Sequence, residues 1–214
     1  MKYLIANLKA HKSLNEMQNW LQTFSRDYRL HQDVIVGIAP STAHLQIVQS
    51  VTSGLQNCCV VAQSVSNETQ GSFTGEVTAQ ALKDVASYCI VGHSERRKRG
   101  ETIDQIETQI KNLKDNNITP ILCIRGIDDF LKGYTGLVAY EQPENIGTGH
   151  NTSAEQVMEV YKSLNLSSDS TFLYGASLDE NNCKDYLIHP EIAGFLVGTA
   201  SLDPEQFIKI LENI

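Results

Sequence analysis

Eight short apolar runs, rich in β-branched residues and spaced along the whole chain, constrain its fold more than any other feature. They are Tyr3–Ala6, Val34–Ile38, Cys59–Ala62, Tyr88–Val91, Thr119–Cys123, Leu137–Tyr140, Thr171–Tyr174 and Gly194–Val197. Each is apolar on both of its faces, which is the pattern of a strand in a parallel sheet covered on both sides. Longer segments with helical spacing lie between them: Leu14, Met17, Leu21 and Phe24 recur at three- and four-residue intervals, as do Ile103, Ile106, Ile110 and Leu113. Ser13 with Glu16 three positions on has the form of a capping box, Thr152 or Ser153 can start a helix through Tyr161, and Asp203-Pro204 opens the last helical segment. Alternating strands and helices predict an α/β protein, a (β/α)8 barrel formed as one domain over residues 1–214. Such barrels take about 250 residues and have a floor near 200, so the connections must be pared down. The shortest lies between Ile124 and Gly136, where Asp128–Lys132 leaves room for little more than one helical turn. A doubly wound open sheet fits the same pattern and stays open as the alternative.

The 25 acidic against 17 basic side chains, a formal net charge of −8, argue against a nucleic-acid partner, which needs clustered Lys and Arg on one face. The basic run Arg96-Arg97-Lys98-Arg99 is too short to change that. No stretch approaches the roughly 20 apolar residues of a membrane span, and the first residues, interrupted by Asn7 and Lys9, do not form a signal peptide. The five cysteines are odd in number, scattered, and include the adjacent pair Cys58-Cys59. They suit reduced thiols in the cytoplasm better than a disulfide framework. No Cys or His pair has the short spacing of a zinc site, so no metal is expected.

In a parallel barrel the chemistry gathers where strands end. The first run ends in Asn7 and Lys9, the fourth in His93-Ser94-Glu95, the sixth in Glu141, the seventh in Gly175-Ala176-Ser177 and the eighth in Gly198-Thr199. A carboxylate, an imidazole and an ammonium would then point into one mouth: a general base, a polarising donor and a fixed positive charge, with glycine-containing loops beside them.

The segments Gly71-Ser72-Phe73-Thr74-Gly75-Glu76-Val77 and Val91-Gly92-His93-Ser94-Glu95-Arg96-Arg97 resemble those of triosephosphate isomerases. So do Asn7-Leu8-Lys9, Ala139-Tyr140-Glu141, Ile146-Gly147-Thr148-Gly149 and Gly194 through Leu202, in family order from first strand to last. The resemblance implies a TIM barrel that interconverts dihydroxyacetone phosphate and glyceraldehyde 3-phosphate through an enediolate, without cofactor or metal. It makes Glu141 the base, His93 a neutral hydrogen-bond donor, Lys9 the balancing charge with Asn7 beside it, and Glu95 a second carboxylate next to Lys9. Gly147, Ser177, Gly198 and Thr199 would bind the phosphate. The lid would run through Gln142, Pro143, Glu144, Asn145, Ile146, Gly147 and Thr148, latched by Tyr174 and Ser177. The lid tip Gln142-Pro143-Glu144 and the small size resemble compact archaeal-type members.

Four departures from the family pattern stand out. Gly175-Ala176 and Gly198-Thr199 replace Gly-Gly pairs, putting a Cβ in the phosphate cradle that would cost about 1–2 kcal/mol at positive φ. Leu8 stands where many members have tryptophan, and Cys123-Ile124-Arg125-Gly126 replaces Cys-x-Gly-Glu beside the truncated fifth unit. By the same resemblance, Ser64–Thr74 is an interdigitating loop whose Phe73 and Thr74 would reach a partner subunit near Asn7, which implies a homodimer. The alternatives are a catalytically impaired phosphate-binding barrel acting as a binding or interaction protein, and a different barrel enzyme on a sugar phosphate, such as an epimerase.

Overall fold

The computed structural model of the protein describes residues 1–142, 152–175 and 178–214. Strands β1 (Lys2–Asn7), β2 (Val34–Ala39), β3 (Cys58–Ala62), β4 (Tyr88–Val91), β5 (Thr119–Ile124), β6 (Leu137–Tyr140), β7 (Thr171–Tyr174) and β8 (Ile192–Val197) close into a barrel in sequence order. Every pairing is parallel, and β1 pairs with both β2 and β8. That closure removes the open-sheet alternative. Each apolar run of the sequence forms the core of one strand.

Around the ring lie α1 (Leu14–Asp27), α2 (Leu45–Thr52), α3 (Ala79–Leu82), α4 (Ser94–Arg97), α5 (Ile103–Asp115), α6 (Ala154–Leu164), α7 (Cys183–Leu187) and α8 (Pro204–Glu212). No helix among the described residues is long and apolar enough to cross a membrane. Ser13 and Glu16 make both halves of the capping box on α1, Ser153 rather than Thr152 caps α6, and Asp203 caps α8 ahead of Pro204. Leu14 and Ile103 fit the helical spacing yet are 51% and 45% exposed. Each is the first residue of its helix, and side chains there lean back toward the N-terminus, past the edge of the barrel wall.

Strand residues alternate between two cores, because successive side chains leave a strand on opposite faces. Ile5, Ile90, Ile121, Cys123, Leu137, Ala139, Leu173 and Leu196 fill the barrel interior. Leu4, Ala6, Leu122, Ile124, Val138 and Tyr140 pack outward against the helices. This parity positions the site: continuing Ile5, Ala139 and Leu196 by two residues puts Asn7, Glu141 and Gly198 over the interior at the mouth. Gly194 (φ +142) lies where β8 meets β1, and a Cβ there would sit 1.8 Å from the Tyr3 carbonyl oxygen.

The fifth connection is as short as its sequence implies, reduced to the single 3-10 turn Ile127–Asp129. Tyr134 occupies part of the space beside β5: its hydroxyl lies 2.9 Å from the Pro120 carbonyl and 3.2 Å from that of Leu137.

Candidate active site

The residues after β1, β4 and β6 converge at one mouth. Glu141 continues the inward parity of β6, and its backbone N–H donates to the Ile124 carbonyl at 2.8 Å, fastening it to β5. Its carboxylate Oε1 lies 3.0 Å from His93 Nε2, and both side chains are almost fully buried. The other oxygen, Oε2, is buried with no hydrogen-bond partner among the described residues, as is the Ser94 hydroxyl. A Cβ at Gly175 would approach Glu141 Cγ to 3.2 Å, so glycine there leaves the carboxylate room to move.

His93 caps α4, and the Glu95 amide donates to its Nδ1 at 3.2 Å. Only an unprotonated Nδ1 can accept that bond, so the network assigns the ring its proton at Nε2, aimed at Glu141. In this tautomer Asn7 Nδ2, 3.4 Å from Nε2, is a contact and not a second hydrogen bond. Burial pulls the imidazole toward neutrality, yet the facing Glu141 carboxylate outweighs it and lifts the His93 pKa above its ordinary value. That lift comes from the direct 3.0 Å contact between the two side chains. The amide bond at Nδ1 works the other way, favouring the neutral ring.

Lys9 adopts φ +50, a left-handed conformation that a side chain makes costly by about 1–2 kcal/mol. Three contacts impose it. The Lys9 N–H donates to Asn7 Oδ1 at 3.3 Å, the carbonyl accepts from Gln63 Nε2 at 2.9 Å, and the ammonium meets Glu95 Oε1 at 2.7 Å. Burial pushes the Glu95 carboxyl up, but Lys9 outweighs it and holds the group below its ordinary range. Gln63 also donates to the Ala39 carbonyl at 2.7 Å, tying Lys9 to the end of β2. Gln63 was not among the residues expected at the mouth. Its signal in the sequence is its place immediately after the third apolar run, the same kind of place that marks Glu141 after the sixth.

A cleft of about 440 Å³ opens over this group, lined by Asn7, Lys9, Gln63, His93, Glu95 and Arg99 among others. Gly198 and Thr199 flank the mouth after β8, with Lys9 Cε 3.8 Å from a Cβ built at Gly198. Thr199 is not among the described residues with positive φ, so its Cβ carries none of the strain that the sequence left open. Ala176, Ser177 and the lid residues Pro143, Glu144, Asn145, Ile146, Gly147 and Thr148 lie outside the described residues. Gln142 is described, and its Oε1 accepts from Thr152 Oγ1 at 2.5 Å. Tyr174 is fully buried, its ring stacked on Tyr186 at 4.5 Å and its hydroxyl without a partner among the described residues. Phe73 and Thr74 are exposed, Phe73 at 42%.

This site can take a proton with Glu141, donate a hydrogen bond from His93 and balance an anion with Lys9. The family model described as triosephosphate isomerase matches residues 2–132 and 127–214. The chain belongs to the triosephosphate isomerase family. A relative named triosephosphate isomerase from Mesomycoplasma hyopneumoniae (strain 7448) is 32% identical over 243 residues, covering 99% of each chain. One of the same name from Aquifex aeolicus (strain VF5) is 32% identical over 243 residues, covering 98% of each. Another, from Mycoplasmopsis pulmonis (strain UAB CTIP), is 30% identical over 237 residues, covering 97% of this chain and 96% of its own. The two stretches matched by the family model meet at residues 127–132, in the turn where the fifth unit is reduced.

Proposed function

We infer that this member of the triosephosphate isomerase family interconverts dihydroxyacetone phosphate and D-glyceraldehyde 3-phosphate, a step of glycolysis and gluconeogenesis. The observation that carries the inference is the buried Glu141 carboxylate 3.0 Å from a His93 whose Nδ1 is occupied by a backbone amide. Glu141 takes a proton from the carbon beside the carbonyl and returns it to the neighbouring carbon. His93 Nε2–H donates to the substrate oxygens as charge moves onto them, and Lys9 offsets the phosphate and the enediolate, with Asn7 and Glu95 keeping it in place. Preorganised donors of this kind each contribute about 3–4 kcal/mol once water is excluded. Substrate and product are isomers, so hydrogen is redistributed within one molecule and no redox cofactor is consumed.

Phosphate binding falls to backbone N–H groups of Gly147, Ser177, Gly198 and Thr199, where glycine allows close approach. Closure of Gln142–Thr148, latched by Tyr174 and Ser177, holds water away from the enediolate. The exposed Phe73 and Thr74, on the loop that leaves the cleft at Ser64, support a homodimer in which each loop docks near the partner's mouth. The five free thiols support a cytoplasmic setting.

A coupled assay with glyceraldehyde 3-phosphate, repeated in D2O, tests the reaction. Turnover with deuterium entering the carbon-bound positions is expected. Tight phosphate-analogue binding without conversion would leave the impaired binding barrel as the better description. Sedimentation at low micromolar concentration should give twice the chain mass, and a clean monomer would remove the loop-docking dimer.

A further inference from the structure

The 3-10 turn that remains of the fifth unit carries a buried carboxylate, Asp129, only 6% exposed. Its oxygens accept from Arg125 Nε at 2.7 Å, from Arg125 Nη2 at 2.9 Å and from the Arg125 backbone N–H at 2.9 Å. Oδ1 also faces Arg97 Nη1 at 3.6 Å, and the Arg97 side chain is only 6% exposed. Burial pushes the Asp129 carboxyl up, but the two guanidinium groups outweigh it and hold it below the usual carboxylate range.

Arg97 is the informative partner. Its Nε donates to the Gly92 carbonyl at 2.7 Å and its Nη2 to the Cys123 carbonyl at 3.3 Å. Gly92 precedes His93. Cys123 precedes Ile124, whose carbonyl holds the Glu141 N–H at 2.8 Å. One guanidinium thus joins the strand ends that present the imidazole and the carboxylate. A buried guanidinium needs an anion beside it; among the described residues Asp129 is the carboxylate within ion-pair distance of Arg97, and Glu101 acts on it from farther away.

We propose that Asp129 is a positioning residue for the isomerisation. By neutralising and orienting Arg97, it holds the ends of β4 and β5 at the spacing that sets His93 Nε2 against Glu141. The competing role is purely structural: Asp129 pins its own turn to β5 through Arg125 and nothing more. The proposed role rests on the isomerase reading of the site.

The two roles separate in the full-length protein. Arg125→Ala removes the side-chain bridge to the turn but keeps the backbone N–H bond to Asp129 and the Arg97 contact. Melting temperature should fall, while kcat stays within about twofold of the unaltered enzyme. Asp129→Asn removes the carboxylate nearest Arg97, and kcat should fall about 10- to 100-fold with KM within about threefold, because reacting groups misplaced by an ångström lose on that scale. Both are measured well below the lowest melting temperature. If Asp129→Asn does not accumulate as folded protein, Arg97→Lys reads the bridge that Asp129 holds in place, since an ammonium cannot span both carbonyls in the fork geometry; the same kcat loss is expected. Unimpaired kcat in Asp129→Asn, or in Arg97→Lys where that variant is used, or an equal kcat loss in Arg125→Ala, overturns the proposal. An unaltered enzyme that shows no turnover overturns the isomerase reading and the role of Asp129 together.

Discussion

Glu141→Gln lowers kcat about 10⁴-fold and leaves KM within about threefold, the full range assigned to a positioned general base. The amide has nearly the shape of the carboxylate, and its oxygen can still accept from His93 Nε2 at the 3.0 Å the carboxylate makes now. The pocket therefore stays assembled while the one group able to take a carbon-bound proton is gone. Glu141→Asp tests the same atom by distance: the shorter side chain keeps the charge but withdraws it by about an ångström, for a loss near 10²-fold. The position is prepared for a base that moves, since Oε2 is buried without a partner among the described residues and Gly175 leaves space beside Cγ. Steady-state kinetics in both directions checks the pair. A kcat within a few-fold of the unaltered enzyme for Glu141→Gln would remove Glu141 from the role of base.

A parallel sheet covered on both sides was legible in the sequence because all eight runs are apolar on both faces; its closure was not, since an open sheet between two helix layers demands the same pattern, and only the pairing of β1 with β8 decides it. Three charged or titratable groups of the mouth, Lys9, His93 and Glu141, were legible for a related reason: each is the first such group after an apolar run, where the interior stops needing apolar side chains. Contacts set by distant parts of the chain were beyond that pattern. Gln63 acts through the carbonyls of Lys9 and Ala39, and neither bond leaves a mark on local composition. Asp129 read as part of a shortened loop. Arg97 reaches it from α4, a separate element of the chain. The doubt over Thr199 fell away for a similar reason: the left-handed backbone at the mouth belongs to Lys9, and nothing in Asn7-Leu8-Lys9 announces it.

Lys9→Ala lowers kcat/KM about 10³- to 10⁴-fold, combining a lost charged hydrogen bond to the phosphate-bearing ground state with lost stabilisation of the enediolate. Unlike Glu141→Gln, it raises KM, by about tenfold or more, because the ammonium acts on the substrate's charge before any proton moves. The fold should hardly notice. The Lys9–Glu95 pair is partly exposed, with Glu95 half open to solvent, and such pairs contribute little to stability. Alanine also inherits the left-handed backbone at the same strain as lysine. Glycine does not, so Lys9→Gly should lose the same activity while melting no lower than Lys9→Ala, the strain of about 1–2 kcal/mol having been relieved. That ordering separates catalysis from folding at a single position: the backbone is held in an unfavourable shape by Asn7 and Gln63 so that the ammonium faces the mouth. Isothermal titration with a phosphate-bearing analogue, beside thermal melts of the three proteins, checks both halves. Near-normal affinity in Lys9→Ala would take the ammonium out of substrate binding, and Lys9→Gly melting well below Lys9→Ala would mean that the φ of +50 carries no strain.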